Sequence, residues 1–573
     1  MFSLGNQSDP FFDSSATPSS GSFELMPPPA ALMPPPATLL PARPHTQRRL
    51  SKPKPPPVEK DILDVEQAPL ERVESVVQTP VLSDAVSVTT GAVEVPSRAK
   101  ALVVRFRTSN VQLFLLSLIA FLCPGMWNAL NGLGGGGLVA AEPANTANIA
   151  LYAVFAVVGF CAGIPTNKLG VRFTLALGGL GYAIYTSSLF CYKHTANEGF
   201  LIFAGVVLGF SAGLFWAAQG MMITSYPVES DQGKSAAWFW GIYNLGAVIG
   251  SVISLVQSQH SITNDVTDGT FFAFIALSCC GVLLSLTLAE PKDVVRSDGV
   301  HVSLPEVPTW KSAILSLFDG LYRNPRIFLL FPMFFASNIF YPYQFNTFNL
   351  ANFTIRTRSL NNAIYWLAEI FGGYAMGYLL DVQFCRKKIR AILAIVAVLA
   401  ITNAIWGGAY AWELKAAAAR RLVGPRVELP KTDYKDSRYA GSLVLYMCFG
   451  FLAASYQIVL YWYGPSHFFV LVLPPFLVLP LYHAPLILSI TRTKSPTDIG
   501  NRIIGSHEKN NNQLANIAGF YKGIQSAGGA VSFRINTIGL NPIHELIMCW
   551  SFLAAGLVCA MPLAFGIKER KSN

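Results

Sequence analysis

The chain has 573 residues, is 52% hydrophobic and 13% charged, and carries a net charge of +10 with a mean hydropathy of +0.42. Soluble domains carry roughly 25% charged residues, so a surface this poor in charge excludes a cytosolic globular enzyme, a secreted disulfide scaffold and a disordered chain. Long uncharged apolar runs point to an all-α, polytopic membrane protein.

The chain divides unevenly. Residues 1–100 hold 17 of the 37 prolines and a near balance of 9 Lys/Arg and 11 Asp/Glu. Proline triplets at Pro27–Pro29, Pro34–Pro36 and Pro55–Pro57 favour extended polyproline conformations. Residues 1–105 are therefore expected to form a disordered, Pro-rich cytoplasmic tail. A cleaved signal peptide is not expected, because no basic segment precedes an apolar core near Met1. The remainder holds 33 Lys/Arg and 21 Asp/Glu, a net of +12. That excess fits basic loops on the cytoplasmic side of a bilayer rather than nucleic-acid binding.

At 1.5 Å per residue, a hydrocarbon core of about 30 Å needs about 20 residues. Twelve segments qualify: spans 1 to 12 at about 111–133, 147–166, 173–192, 200–224, 236–257, 270–289, 327–348, 361–380, 389–411, 439–463, 513–535 and 546–567. They form an N-terminal half (106–290) and a C-terminal half (327–570) around a central cytoplasmic loop (291–326). Placing both termini in the cytoplasm puts Arg105, Arg107, Lys168, Arg172, Lys234, Arg386, Lys387, Lys388, Arg390 and Lys568 there. Opposite them the short loops carry Lys193, Arg356 and Arg358, and the 412–438 loop departs from the pattern with seven basic and four acidic residues.

The halves echo each other. Pro124, Asn128 and Asn131 of span 1 match Pro342, Asn346 and Asn349 of span 7 at an offset of 218. Gly159, Gly163, Asn167 and Arg172 match Gly373, Gly377, Asp381 and Arg386 at an offset of 214. Gly209-Phe210-x-Ala212 of span 4 reappears as Gly450-Phe451-x-Ala453 in span 10, and Gly241-x-Tyr243-Asn244 of span 5 as Gly519-x-Tyr521-Lys522 in span 11. Parallel six-span repeats with a midplane site between them are the architecture of major facilitator carriers.

The stretch Gly163-Ile-Pro-Thr-Asn167-Lys168-Leu-Gly170-Val-Arg172 resembles the loop signature of that superfamily, with Asn167 where an aspartate is usual. The second half keeps the acid in Gly377-Tyr-Leu-Leu-Asp381, followed by Arg386. Read functionally, both are conformational latches; read structurally, they are basic loops beside glycine-packed helices.

Ionisable residues inside spans are costly. Glu369 in span 8 and Lys522 in span 11 both fall about 12–15 Å deep, where they could pair, relay a proton or meet a solute. Asn128, Asn131, Gln219, Asn244, Asn338, Gln344, Asn346 and Gln457 could line the same path or join helices across the bundle. The run Gly132-x-Gly134-Gly-Gly-Gly137 lacks the lysine of a phosphate loop and reads as close packing or a flexible exit. Nine cysteines and eight histidines show no metal-ligand spacing, and neither a hydrolytic constellation nor a Walker motif is present. No catalysis, metal or cofactor is expected.

Asn128-Ala-Leu-Asn131-Gly-Leu-Gly134-Gly-Gly-Gly137, Leu214-Phe-Trp216-Ala-Ala-Gln219-Gly220 and Gly519-Phe-Tyr521-Lys522-Gly523-Ile-Gln525-Ser526-Ala527-Gly528 resemble a fungal member of the Unc-ninety-three-like branch of the major facilitator superfamily, over about 105–570. The resemblance implies a twelve-span facilitator fold in the lipid bilayer. It also implies one of two activities: a carrier of a small solute or ion working by alternating access, or a non-transporting regulatory or trafficking subunit that binds another membrane protein such as an ion channel. The insert 464–509, where the family has a short loop, is apolar yet broken by five prolines between 465 and 485. It reads as a translated intron or gene-model error, with a re-entrant insert as the alternative. A transcript sequenced across this junction is expected to lack the segment; one retaining it in frame refutes the artefact.

Overall fold

The computed structural model describes residues 103–566 except 229–230, 262–263, 303, 305–314, 316–321, 323–324, 382–384, 424–429 and 473–520. The expected tail up to residue 102 and the insert from 473 onward lie outside the described residues. Helices dominate, and the described β-pairing is confined to isolated bridges such as Thr108 with Val295. Lipid cannot satisfy backbone N–H and C=O groups, so spanning segments close their hydrogen bonds internally.

The first half runs through Ser109–Leu122 and Pro124–Gly132 (span 1), Glu142–Cys161 (span 2), Gly163–Thr195 (span 3), Glu198–Ser225 (span 4), Gln232–Gln257 (span 5) and Asp268–Leu286 (span 6). The second half runs through Pro325–Leu330, Phe331–Ala336 and Tyr343–Leu350 (span 7), Ile355–Asp381 (span 8), Lys387–Val423 (span 9), Tyr439–Val472 (span 10), 521–538 (span 11) and Pro542–Phe565 (span 12). Eight of these helices are, among the described residues, individually long and apolar enough to cross a membrane. Each half has its own buried core, the first centred on residues such as Leu116, Phe215 and Phe271, the second on Tyr365, Trp406 and Tyr456.

Boundaries differ from the sequence reading in places with physical causes. Pro124 lacks an N–H, so span 1 breaks at Cys123 (φ −102°, ψ −82°). The matching Pro342 precedes a run of wide π-type turns over Tyr343–Leu350. Span 9 continues to Val423, so Lys415 and Arg420 of the expected 412–438 loop ride on a helix, where Arg420 approaches the fully buried Glu413 (3.4 Å). Span 10 likewise continues to Val472. After span 6 the chain returns to the start of span 1: Val295 accepts from Ser109 N (3.0 Å) and donates to Arg107 O (2.9 Å).

The repeat is visible as packing. On span 4, Gly205, Gly209 and Gly213 form a stripe against span 2, where a Cβ on Gly209 would lie 2.4 Å from the Leu151 carbonyl oxygen. On span 10, a Cβ on Gly450 would lie 2.3 Å from the Tyr365 carbonyl oxygen of span 8. Leu151 and Tyr365 stand at the same offset of 214 as the matched span 2 and span 8 motifs, so the two glycines permit one helix crossing twice. Gly209→Val and Gly450→Val are each expected to lower stability by about 3 kcal/mol through overpacking, read as a drop in the thermal midpoint of purified protein. Gly220→Ala, where an added Cβ meets nothing within 4 Å, is expected to leave the midpoint unchanged.

Candidate functional site

Between the halves lies a cavity of about 100 Å³, lined from spans 1 to 5 of the first half and spans 7, 8, 10 and 11 of the second. Room on this scale holds several waters or one small solute. It gathers six candidates from the sequence: Asn128, Asn131, Asn244, Glu369, Gln457 and Lys522, together with Asn338. Ten of its twenty-two lining residues are aromatic, so the few polar groups stand out against apolar walls.

Glu369 is buried at 8% exposure, and its Oε2 has no hydrogen-bond partner among the described residues. Tyr243, Tyr341 and Tyr365 lie within its electrostatic reach. Lys522 does not pair with it among the described residues. Its Nζ donates to Gln525 Oε1 (2.9 Å) and lies 5.4 Å from the Trp216 ring, across the interface on span 4, and 5.3 Å from the Tyr521 ring. Trp216 is braced by Trp240 (5.9 Å, stacked) and Tyr243 (5.5 Å, edge-on).

The amides divide between cavity and frame. Asn128 Nδ2 donates to Tyr243 Oη (2.7 Å), orienting a ring of the cavity wall. Gln457 Nε2 donates to Tyr341 Oη (3.3 Å), and Asn244 Oδ1 is buried without a hydrogen-bond partner among the described residues. Asn131 accepts from Asn148 Nδ2 (3.0 Å) and thereby ties span 1 to span 2. Its repeat partner Asn349 accepts from Asn361 Nδ2 (3.0 Å), tying span 7 to span 8. Gln344 accepts from Tyr365 Oη (2.9 Å). Gln219 is buried but does not line the cavity. Asn346 is also elsewhere: it accepts from Gly135 N (2.8 Å), donates to Asn145 Oδ1 (2.8 Å), and lines a second cavity with Thr347, Asn536 and Glu545.

The latch residues occupy the far end of the bundle from Asn346. Gly163 opens the span 3 helix, and Asn167 and Lys168 are exposed. Gly170 adopts φ +75°, ψ 159°, a region closed to residues with a Cβ, and this kinks the chain between the short helical stretch from Gly163 and the membrane helix that follows. Arg172 Nε donates to the Leu288 carbonyl (2.8 Å) at the end of span 6. In the second half, a Cβ on Gly377 would meet nothing within 4 Å, so close helix approach is not its role. Span 8 ends at Asp381, Arg386 is exposed, and Arg390 Nη1 donates to the Leu380 carbonyl (2.6 Å).

A residue read from the sequence only as a loop charge dominates the opposite end. Arg358 of span 8 is completely buried. Its Nε donates to Leu133 O (2.7 Å), Nη1 to Asn264 O (2.9 Å), and Nη2 to Gly134 O (2.9 Å) and Leu138 O (3.4 Å), all in the first half. The carbonyls face it because Gly134, Gly135, Gly136 and Gly137 all have φ between +58° and +83°. Asn362 adds bonds to Ala129 O (2.7 Å) and Ser251 Oγ (2.8 Å), and Asn349 to Gly132 O (3.1 Å). At the latch end, the described hydrogen bond between halves is Tyr374 Oη to Ala237 O (3.2 Å).

Two six-span halves, bonded across one end and hollow between, define a polytopic membrane protein of the facilitator fold. Residues 109–420 match the Major Facilitator Superfamily. An UNC93-like protein of Schizosaccharomyces pombe is 42% identical over 458 residues, 80% of this chain and 82% of that protein. UNC93-like protein 1 of Arabidopsis thaliana is 36% identical, covering 78% and 88%. The Escherichia coli xylose transporter XylE in a partially occluded inward-open conformation aligns with a TM-score of 0.50 at 13% identity, covering 82% of this chain and 99% of that one, a likeness of fold. The chain thus belongs to the major facilitator superfamily, in its UNC93-like branch.

Arg358→Lys is expected to destabilise the protein by about 3 kcal/mol, because a single ammonium cannot replace a planar fork that serves four carbonyls. Arg356→Lys, at a part-buried pair with Asp433 (2.5 Å) whose carboxylate also accepts from Thr354 and Thr357, keeps the charge and is expected to cost about 1 kcal/mol. Parallel thermal unfolding of the two variants checks the contrast.

Proposed function

We propose that this protein is a facilitator-type carrier that moves a small solute or ion across its membrane by alternating access, with the mid-bundle cavity as its binding site. The observation that carries this reading is the asymmetry of the interface between the halves. Beyond the cavity toward the glycine loop, a dense set of hydrogen bonds closes the path; toward the latch end, among the described residues, the hydrogen bond between the halves is that of Tyr374 to Ala237. Rocking the halves would exchange the two conditions.

The Lys/Arg distribution supports both termini in the cytoplasm. In that orientation the bonded end faces the exterior, and the reading assigns this arrangement to the inward-facing step of the cycle. Arg358, Asn362 and Asn349 then form the outer seal. Arg172 and the segment around Asp381 and Arg386 belong to the inner latch, which tightens as the outer seal opens. Glu369 takes the role of the ionisable group in the path, able to carry a proton or meet a cation, since a buried carboxylate with an unpartnered oxygen gains from either.

The test is uptake into vesicles reconstituted with the purified chain, assayed across a panel of labelled ions and metabolites and over a range of pH. Wild type is expected to accumulate a solute in a pH-dependent manner, and Glu369→Gln, which keeps size and removes charge, is expected to flatten that dependence. A Glu369→Gln variant with an unchanged pH profile overturns the ionisable role. Stoichiometric co-purification with another membrane protein, and no uptake of any solute, overturns the carrier in favour of a regulatory subunit.

A further inference from the structure

We infer that the cavity is built for a small, uncharged polyol, held by hydrogen bonds to Trp127, Asn244, Trp366 and Glu369. The inference rests on the reading of this cavity as the transport site and names the class of solute. Buried polar groups are nearly always hydrogen-bonded, so those left unpaired call for an explanation. Among the described residues, eleven buried side-chain polar atoms have no hydrogen-bond partner, and four of them belong to side chains of this one cavity wall. They are two donors, Trp127 Nε1 and Trp366 Nε1, and two acceptors, Asn244 Oδ1 and Glu369 Oε2. Asn244, Trp366 and Glu369 are each more than nine-tenths buried.

Each half contributes one donor and one acceptor. Trp366 and Glu369 stand three apart on span 8, at neighbouring positions of one helix face. Trp127 and Asn244 each adjoin a member of the Asn128–Tyr243 hydrogen bond that joins spans 1 and 5. A hydroxyl donates and accepts through the same oxygen, so a chain of hydroxyls can serve both pairs in any order. It also serves Glu369 in either protonation state, accepting from the acid or donating to the carboxylate. Other solute classes serve only part of the set. A cation answers Asn244 and Glu369 and leaves both indole N–H groups unserved. An anion answers the indoles and is repelled by an ionised Glu369. An apolar solute leaves all four atoms unpaired, at a cost for each. The aromatic walls then meet the C–H groups of the polyol's carbon chain.

The test uses the full chain in detergent. Polyols stabilise many proteins without binding them, so binding is read by equilibrium dialysis with radiolabelled erythritol, xylitol and sorbitol, and checked for saturation. The competitors are pentane-1,5-diol, which has the xylitol chain with only its end hydroxyls, xylonate, which adds a carboxylate, and urea. At least one polyol is expected to bind saturably and about tenfold or more tighter than every competitor. Trp366→Phe and Trp127→Phe, which remove an N–H and keep a ring, are each expected to weaken that binding about fivefold to tenfold, the factor of one lost hydrogen bond. Trp406→Phe is the control, because Trp406 Nε1 is also buried and unpartnered but lies outside the cavity. The same loss of volume there is expected to leave the affinity unchanged. The assignment is overturned by no saturable binding of any of the polyols, by a competitor that binds as tightly, or by a Trp406→Phe loss equal to those of Trp366→Phe and Trp127→Phe. Uptake separates the two readings. A polyol that binds but is not carried into vesicles sinks the carrier and upholds the ligand class; an ion or charged metabolite that is carried, with no polyol bound, does the reverse.

Discussion

The architecture depends on a buried positive charge whose described hydrogen bonds all go to backbone carbonyls, with the Asp265 carboxylate acting on it through space. Arg358 brings its guanidinium into the first half and spends its donors on backbone carbonyls of Leu133, Gly134, Leu138 and Asn264. Taking a guanidinium out of water is costly, and four acceptors at fixed angles offset that cost only while both halves hold their places. The geometry needs the glycine run, because four successive residues with positive φ aim the carbonyls inward. Space is equally strict: a Cβ on Gly134 would lie 2.2 Å from the Phe345 carbonyl oxygen, and one on Gly132 would lie 2.1 Å from Asn362 Oδ1.

This clasp gives the cavity its character. With one end closed, the space behind it is walled by aromatic rings from both halves and keeps only a few polar groups. The amides near it act mostly through neighbours. Asn128 holds the Tyr243 ring and Gln457 the Tyr341 ring, so the ring faces that line the cavity are fixed by hydrogen bonds at their rims. Asn346, Asn145, Asn536 and Glu545 form a separate chain at the sealed end, in which Asn536 links Asn145 and Asn346 to the Glu545 carboxylate. Each bond of this network polarises the next, so the chain ties the halves together as a unit at that end.

The duplicated sequence is conserved in packing more than in polar chemistry. Gly209 and Gly450 permit the same crossing, and Pro124 and Pro342 each interrupt a first helix of a half. Asn131 and Asn349 each tie a first span to a second. The charges break the symmetry: Glu369 and Lys522 both belong to the second half, facing a first half that offers rings and amides. The second half thus supplies both ionisable groups, while both halves supply rings to the walls.

The sequence by itself determined the all-helical membrane class, the twelve spans in two halves and the family, because hydrocarbon solvates only apolar side chains and a constant offset between matched residues survives without knowledge of contacts. It also placed Glu369 and Lys522 at cavity depth, since depth along a helix follows from counting. Tertiary structure alone decided which neighbours those side chains meet, Lys522 reaching Gln525 and the Trp216 ring. It separated Asn346 and Gln219 from the cavity, because a one-dimensional pattern of amides gives depth but not the facing of a helix within the bundle. It turned Arg358 from a loop charge into the clasp between halves, since the carbonyls that receive it come from residues more than 90 positions away in the chain. No local signal marks a basic residue whose partners are backbone oxygens; the glycine run that presents them was legible, and its purpose was not.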